Sequence, residues 1–145
     1  MQLFFTRGST IWFEDNDCLL TIGDNTTIEE AHIAVTEPGS SIEIGKDCML
    51  TYDIDIRCGD SHSIVDLSTG QRINYARGIK IADHVWLAAH VQILTGVTIG
   101  SDSVVAIRSV VTKDIPCNSM AQECLRKRSK PASHGIENEY TTARN

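Results

Sequence analysis

A chain of 145 residues has the length of one domain, and its ordinary shares of apolar (41%) and charged (22%) residues exclude an intrinsically disordered protein. The formal net charge of −6 speaks against a nucleic-acid binder, which needs a basic footprint for phosphates. The apolar run at Met1-Gln2-Leu3-Phe4-Phe5 is too short and lacks the basic residues of a secretory leader. No stretch approaches the roughly 18 apolar residues of a membrane span. A cytoplasmic location with reduced thiols is therefore expected. Of the five cysteines, none forms a C-x-x-C pair, so the expectation is small core hydrophobes rather than a metal site.

Along the chain the apolar residues recur every six positions. A weak ladder, Ile22, Ile28, Ala34, comes first, and Glu37-Pro38-Gly39-Ser40-Ser41 then shifts its phase as a turn would. A second ladder runs Ile44, Leu50, Ile56. Residues from about 61 to 78 interrupt the pattern as a loop, with Asp60, His62, Asp66, Arg72 and Asn74 in or beside it. The longest ladder is Ile81, Leu87, Ile93, Ile99, Val105, Val111, accompanied two positions earlier by Ile79, Val85, Val91 and Val97. It stops at Lys113-Asp114-Ile115-Pro116, and the polar remainder, 119–145, is expected to be a short helix or an arm.

A period of six fits neither a helix nor a plain strand. It fits a short strand plus a tight turn, three times per coil of a triangular prism. Ile81 then stacks on Ile99, Leu87 on Val105 and Ile93 on Val111. Small residues directly after the aliphatic (Gly23, Gly45, Ala82, Ala88, Gly100, Ala106) are expected to form the corners. A sandwich of unrelated strands would not hold this phase. The fold class expected is all-β, a parallel β-helix over 1–118 with one protruding loop and a C-terminal arm.

The segments Ile79-Lys80-Ile81-Ala82-Asp83-His84-Val85-Trp86-Leu87, Ile93-Leu94-Thr95-Gly96-Val97-Thr98-Ile99-Gly100 and Ser109-Val110-Val111-Thr112-Lys113-Asp114-Ile115-Pro116 resemble the hexapeptide-repeat acetyltransferases. Gly59-Asp60-Ser61-His62-Ser63-Ile64-Val65-Asp66, leading to Gln71-Arg72-Ile73-Asn74, looks most like their polysaccharide branch. The resemblance covers roughly 22–118. It implies a left-handed coil, a homotrimer with sites between subunits, acetyl-CoA as donor, and a sugar or polysaccharide hydroxyl as acceptor. No metal is expected.

Acetyl transfer to a hydroxyl needs a base, and histidine titrates near working pH. His62 matches the family's catalytic histidine, and Asp60 or Asp66 is placed to hold its tautomer unless both are solvated loop acids. Ala89 matches the position whose amide stabilises the oxyanion. Trp86 matches a tryptophan of the donor and acceptor groove, or else merely packs between coils; Asp66 and Arg72 are further acceptor candidates. Lys113 matches the family lysine at CoA. Arg126, in a cluster with Lys127, Arg128 and Lys130, is either a phosphate contact or part of a solvated tail. His84 and His90 lack the spacing of β-helical carbonic anhydrases, so surface or interface packing is expected of them.

Two departures stand out. The family's Gly-Ala-Gly is Ala106-Ile107-Arg108 here, so the resemblance leads to the expectation that Ile107 and Arg108 line and narrow the donor groove. The family's Gly-x-Pro-Ala is replaced by Ala121-Gln122-Glu123-Cys124. The competing expectation is therefore an inactive trimeric scaffold or binding subunit with an obstructed CoA groove.

Overall fold

The computed structural model describes residues 4–5 and 8–122. The predicted arm from residue 123 onward, Arg126 included, lies outside them. Parallel strands follow one another in coils. The first coil holds β1 (Phe4–Phe5), β2 (Thr10–Phe13) and β3 (Leu19–Ile22), and the second β4 (Thr27–Ile28), β5 (Ala31–Val35) and β6 (Ser41–Ile44). The third holds β7 (Met49–Leu50), β8 (Ile54–Arg57) and β9 (Ile79–Ile81), and the fourth β10 (Trp86–Leu87), β11 (Gln92–Ile93) and β12 (Thr98–Ile99). Then come β13 (Val104–Val105), β14 (Val110–Val111) and β15 (Met120–Ala121).

Through β14 each strand pairs with the one three places later, and β13 then pairs with β15, which sorts the strands into three sheets, the faces of a prism. The first face is β1-β4-β7-β10-β13-β15, the second β2-β5-β8-β11-β14 and the third β3-β6-β9-β12. The protein is a left-handed parallel β-helix, one of the exceptions to the right-handed crossover rule. Stacking continues past the expected boundary at 118, since Met120 and Ala121 pair with Val104 and Val105.

The inward columns are Ile28, Leu50, Leu87, Val105 on the first face; Ile33, Ile56, Ile93, Val111 on the second; and Ile44, Ile81, Ile99, Ile115 on the third. All are buried, each contributing about 1.5–3 kcal/mol by leaving water. The register expected at spacing eighteen is present.

Three details differ from the expected pattern. Ala34 pairs with Arg57 and is only half-buried, while Ile33 pairs with Ile56 and takes the inward place. Strand side chains alternate, so a one-residue slip exchanges inside for outside. The ladder does not stop after Val111, because Ile115 bridges to Ile99 and is buried. Finally, the left-handed corner residue is the third after the inward aliphatic, as at Asp47 (φ 52°), Asp53 (55°), His84 (58°), His90 (62°), Asp102 (57°) and Arg108 (60°). Asp and Asn tolerate this region better than most residues.

The small residue directly after the aliphatic has another cause. A Cβ on Gly45 would lie 2.6 Å from the Ala82 carbonyl carbon and 2.4 Å from Asp83 Oδ1. Glycine is needed there because the coils touch backbone to backbone. We predict that Gly45→Ala destabilises the protein by about 1–3 kcal/mol through overpacking, read as a lower denaturation midpoint.

Candidate active site

The long interruption leaves the prism after β8 and re-enters at β9, at the edge between the second and third faces. Its root is tight, since a Cβ on Gly59 would lie 2.4 Å from Thr36 Oγ1 and 2.9 Å from Ala76 Cβ. That contact explains the glycine of the Gly-Asp-x-His segment. Ser61, left-handed at φ 58°, donates its hydroxyl to Glu14 Oε2 at 2.7 Å. His62 follows, exposed.

The returning limb is held by Asn74, Arg72 and Glu37. Asn74 Nδ2 donates to the His62 carbonyl (2.7 Å) and to Asp60 Oδ2 (3.1 Å). Its Oδ1 accepts from the Ile64 amide (2.7 Å) and from Arg72 Nε (3.2 Å). The Arg72 guanidinium pairs with the Glu37 carboxylate and lies 5.0 Å over the Tyr75 ring. Glu37 Oε2 also accepts from the Ala76 amide at 3.1 Å. Val65 and Arg72 form an antiparallel bridge toward the loop tip.

These contacts engage several of the expected site residues. The Asp60 carboxylate engages Asn74, and that of Asp66 accepts from the Ser68 hydroxyl and amide and the Thr69 amide. Among the described residues neither reaches the His62 ring. The Ser68 hydroxyl, then the two amides, hold the Asp66 carboxyl below the usual carboxylate range. The Arg72 guanidinium, expected at an acceptor, pairs with Glu37 of the turn between β5 and β6.

Trp86 lies on β10, on the first face, 46% exposed between Met49 and Val104 of the neighbouring strands. The groove beside it, about 450 Å³, has Met49, Trp86 and Val104 in its lining and Asp47, His84 and Asp102 among its polar residues. Ala89, Ile107 and Arg108 gather at the edge between the first and second faces, where the Arg108 amide donates to the Ala89 carbonyl at 2.9 Å. Ala89 is buried, Ile107 and Arg108 exposed. The Ala89 amide has no hydrogen-bond partner among the described residues. Lys113, exposed, follows β14 on the same edge as the loop.

The two corner histidines each turn Nδ1 to a carboxylate of an adjacent coil: His84 to Asp102 at 2.8 Å, His90 to Asp53 at 2.5 Å. The His84 bond holds the Asp102 carboxyl below its usual range. Tyr52 meets the His90 ring edge-on at 5.0 Å. Cys48 and Cys58 are core residues, and burial pushes the Cys48 thiol up, disfavouring the thiolate.

Edge-to-edge, then, the candidate residues form two groups. His62, Asp60 and Lys113 occupy the edge between the second and third faces, which in a three-sided prism lies opposite the first face carrying Trp86. Glu37 and Asn74 became visible as participants only in the structure. Asn74 stood in a recognisable sequence segment, whereas Glu37 sat in what reads as an ordinary turn.

A histidine-bearing loop on a left-handed β-helix, a corner amide with no partner among the described residues and an outward tryptophan are the features expected from the resemblance to hexapeptide-repeat acyltransferases. No protein-family model matches the chain. It is 44% identical to the polysialic acid O-acetyltransferase of Neisseria meningitidis over 81 residues, 56% of this chain and 37% of that protein. To the galactoside O-acetyltransferase of Escherichia coli K12 it is 35% identical over 120 residues, 70% of this chain and 58% of that protein. The solved structure of the polysialic acid O-acetyltransferase OatWY superposes with a TM-score of 0.71 at 36% identity, covering 79% of this chain and 56% of that one. Over the repeat segments that align, the chain is similar to hexapeptide-repeat acetyltransferases. It spans less than two thirds of the length of these curated relatives.

Among the described residues no helix is long and apolar enough to cross a membrane, and no three ligating side chains converge as a metal site would require. One consequence of the loop concerns pH. With its folded pKa depressed, ionised Asp66 stabilises the turn above the usual carboxylate range, and that contribution is lost as pH falls through the depressed value. Amide exchange at Ser68 and Thr69, corrected for intrinsic rates, should accelerate across that interval.

Proposed function

We propose that this protein transfers an acetyl group from acetyl-CoA to a saccharide hydroxyl, at sites formed between the subunits of a homotrimer. The observation that carries this is the placement of His62 opposite Trp86 on the prism. One chain does not bring them together, whereas a ring of three copies sets the loop edge of one against the first face of the next. Apolar exposure supports that contact: Ile64, Val65, Leu67, Ile73 and Tyr75 are exposed on the loop, as are Met49 and Trp86 on the first face. The named relatives act on polysialic acid and galactosides, which supports a saccharide acceptor.

In this reading an imidazole nitrogen of His62 removes the proton of the sugar hydroxyl as its oxygen attacks the thioester carbonyl carbon. The oxyanion of the tetrahedral intermediate receives the Ala89 amide. The C–S bond then breaks, and the imidazolium returns the proton to the CoA sulfur. Trp86 offers a flat apolar wall for acceptor or pantetheine, and Lys113 a cation for a CoA phosphate; Ile107 and Arg108 border the donor.

The alternative, a scaffold with an obstructed groove, rests on Ile107 and Arg108 replacing small residues. Arg108 is exposed at its corner, which supports a groove left open. Calorimetry distinguishes the two: micromolar acetyl-CoA binding by the wild type supports the enzyme, and binding regained only in Arg108→Gly supports the scaffold.

His62→Ala should lower acetyl transfer by roughly 10²–10⁴-fold, the usual contribution of a general base; near-wild-type turnover would sink the assignment. Co-expression of His62→Ala with Trp86→Ala subunits should restore activity that neither has alone. In randomly mixed closed trimers roughly a quarter of the interfaces carry both intact side chains. Full inactivity of the mixture would place both residues in a site within one chain.

A further inference from the structure

We infer that Asn74 is a positioning residue for His62, acting through the backbone and anchored to the prism by the Arg72–Glu37 ion pair. The inference rests on the proposed role of His62 as general base and adds what holds it in place. His62 stands on a loop that no inward ladder residue supports, so its position depends on polar contacts.

Within the described residues these contacts converge on one amide. All four hydrogen-bonding sites of the Asn74 side chain are accounted for. Its two donor bonds reach the carbonyl of His62 at 2.7 Å and the carboxylate of Asp60 at 3.1 Å. Its oxygen accepts from the amide of Ile64 at 2.7 Å and from Arg72 Nε at 3.2 Å. The side chain therefore grips the chain before, at and after the histidine, and ties that limb to its own. The Asn74 carbonyl accepts from the Arg72 guanidinium at 3.1 Å. That guanidinium pairs with Glu37, which belongs to the turn between β5 and β6 and also accepts from the Ala76 amide. The path runs from the second coil through Glu37, Arg72 and Asn74 to the His62 backbone. Arg72, expected as an acceptor contact, is a member of this anchor.

Loss of position is costly in catalysis, because a displacement of about 1 Å at a reacting group lowers turnover by about 10²-fold. It costs the fold little here, since the loop lies outside the stacked coils. Asn74→Ala removes all four side-chain hydrogen bonds and leaves the backbone carbonyl's bond from Arg72. Asn74→Asp retains acceptors for the Ile64 amide and Arg72 but loses both donors and sets a carboxylate against Asp60.

The test measures acetyl-CoA hydrolysis, with water in place of the sugar hydroxyl, alongside transfer to polysialic acid and to p-nitrophenyl β-galactoside. Both Asn74 variants should lose about 10- to 100-fold in kcat, with acetyl-CoA binding by calorimetry and the thermal midpoint of the prism nearly unchanged. Adding Asn74→Ala to His62→Ala should cost nothing further, since a positioning residue has nothing left to position. Exchange of the Ile64 amide should accelerate in Asn74→Ala while that of Trp86 in the prism does not. Wild-type kcat in Asn74→Ala, additive losses in the double variant, or unchanged Ile64 exchange would each overturn the inference. If His62→Ala itself turns over like the wild type, it is the general-base assignment that fails.

Discussion

The whole molecule depends on the vertical stacking of identical corners. Each coil meets the next through parallel backbone hydrogen bonds on three faces and through one inward aliphatic per face. Neither contact exists for a coil alone, so stability is a property of the stack. The stack in turn demands that every coil turn at the same height. Left-handed residues fall at Asn25, Asp47, His84, Asp102 and Asn118 along one edge, and at Asp53, His90 and Arg108 along another. Glycine at 23, 45 and 100 has a different cause, the close approach of backbones between coils.

The same constraint explains where chemistry sits. A prism with a filled interior leaves no internal cavity for a substrate, and its outward strand positions are spaced along flat faces. Functional groups must therefore lie on edges, on grooves beside them, or on an insertion. Of the proposed groups, His62 is on the insertion, Ala89 at a corner whose amide has no partner among the described residues, and Trp86 on an outward strand position. Corner geometry also gives His84 and His90 a plain role. Both occupy left-handed corner positions and satisfy carboxylates of neighbouring coils. Arg108 occupies such a corner too, where a glycine would be free of the Cβ contact that disfavours this region.

The insertion shows a second way of building order. It lacks an inward ladder and is instead secured by an Asx turn at Asp66, by the four bonds of Asn74, and by the Arg72–Glu37 pair. Such a loop is ordered locally without contributing to the core, so it can carry an exposed histidine at little cost to the stack. Its exposed apolar side chains face away from their own prism's core, as does the Trp86 face on the opposite side.

Periodicity alone was enough to determine the β-helix, its phase from Ile81 to Val111, the turn at Glu37–Ser41 and the position of the insertion. A six-residue spacing of aliphatics has few physical solutions, and the stacked prism satisfies it. Resemblance supplied the handedness and the identity of His62, Trp86 and Lys113 as candidates. The slip that puts Ile33 inside instead of Ala34, and the short step that keeps Ile115 in the column, were decided by tertiary stacking. Both shift the spacing, and only a neighbouring coil specifies which residue meets its partner. The hydrogen bonds of Asn74, the capture of Arg72 by Glu37 and the separation of His62 from Trp86 likewise arise from contacts distant in sequence. A sequence states which residue types are present and how often they recur; which of them meet is settled when the coils close on one another.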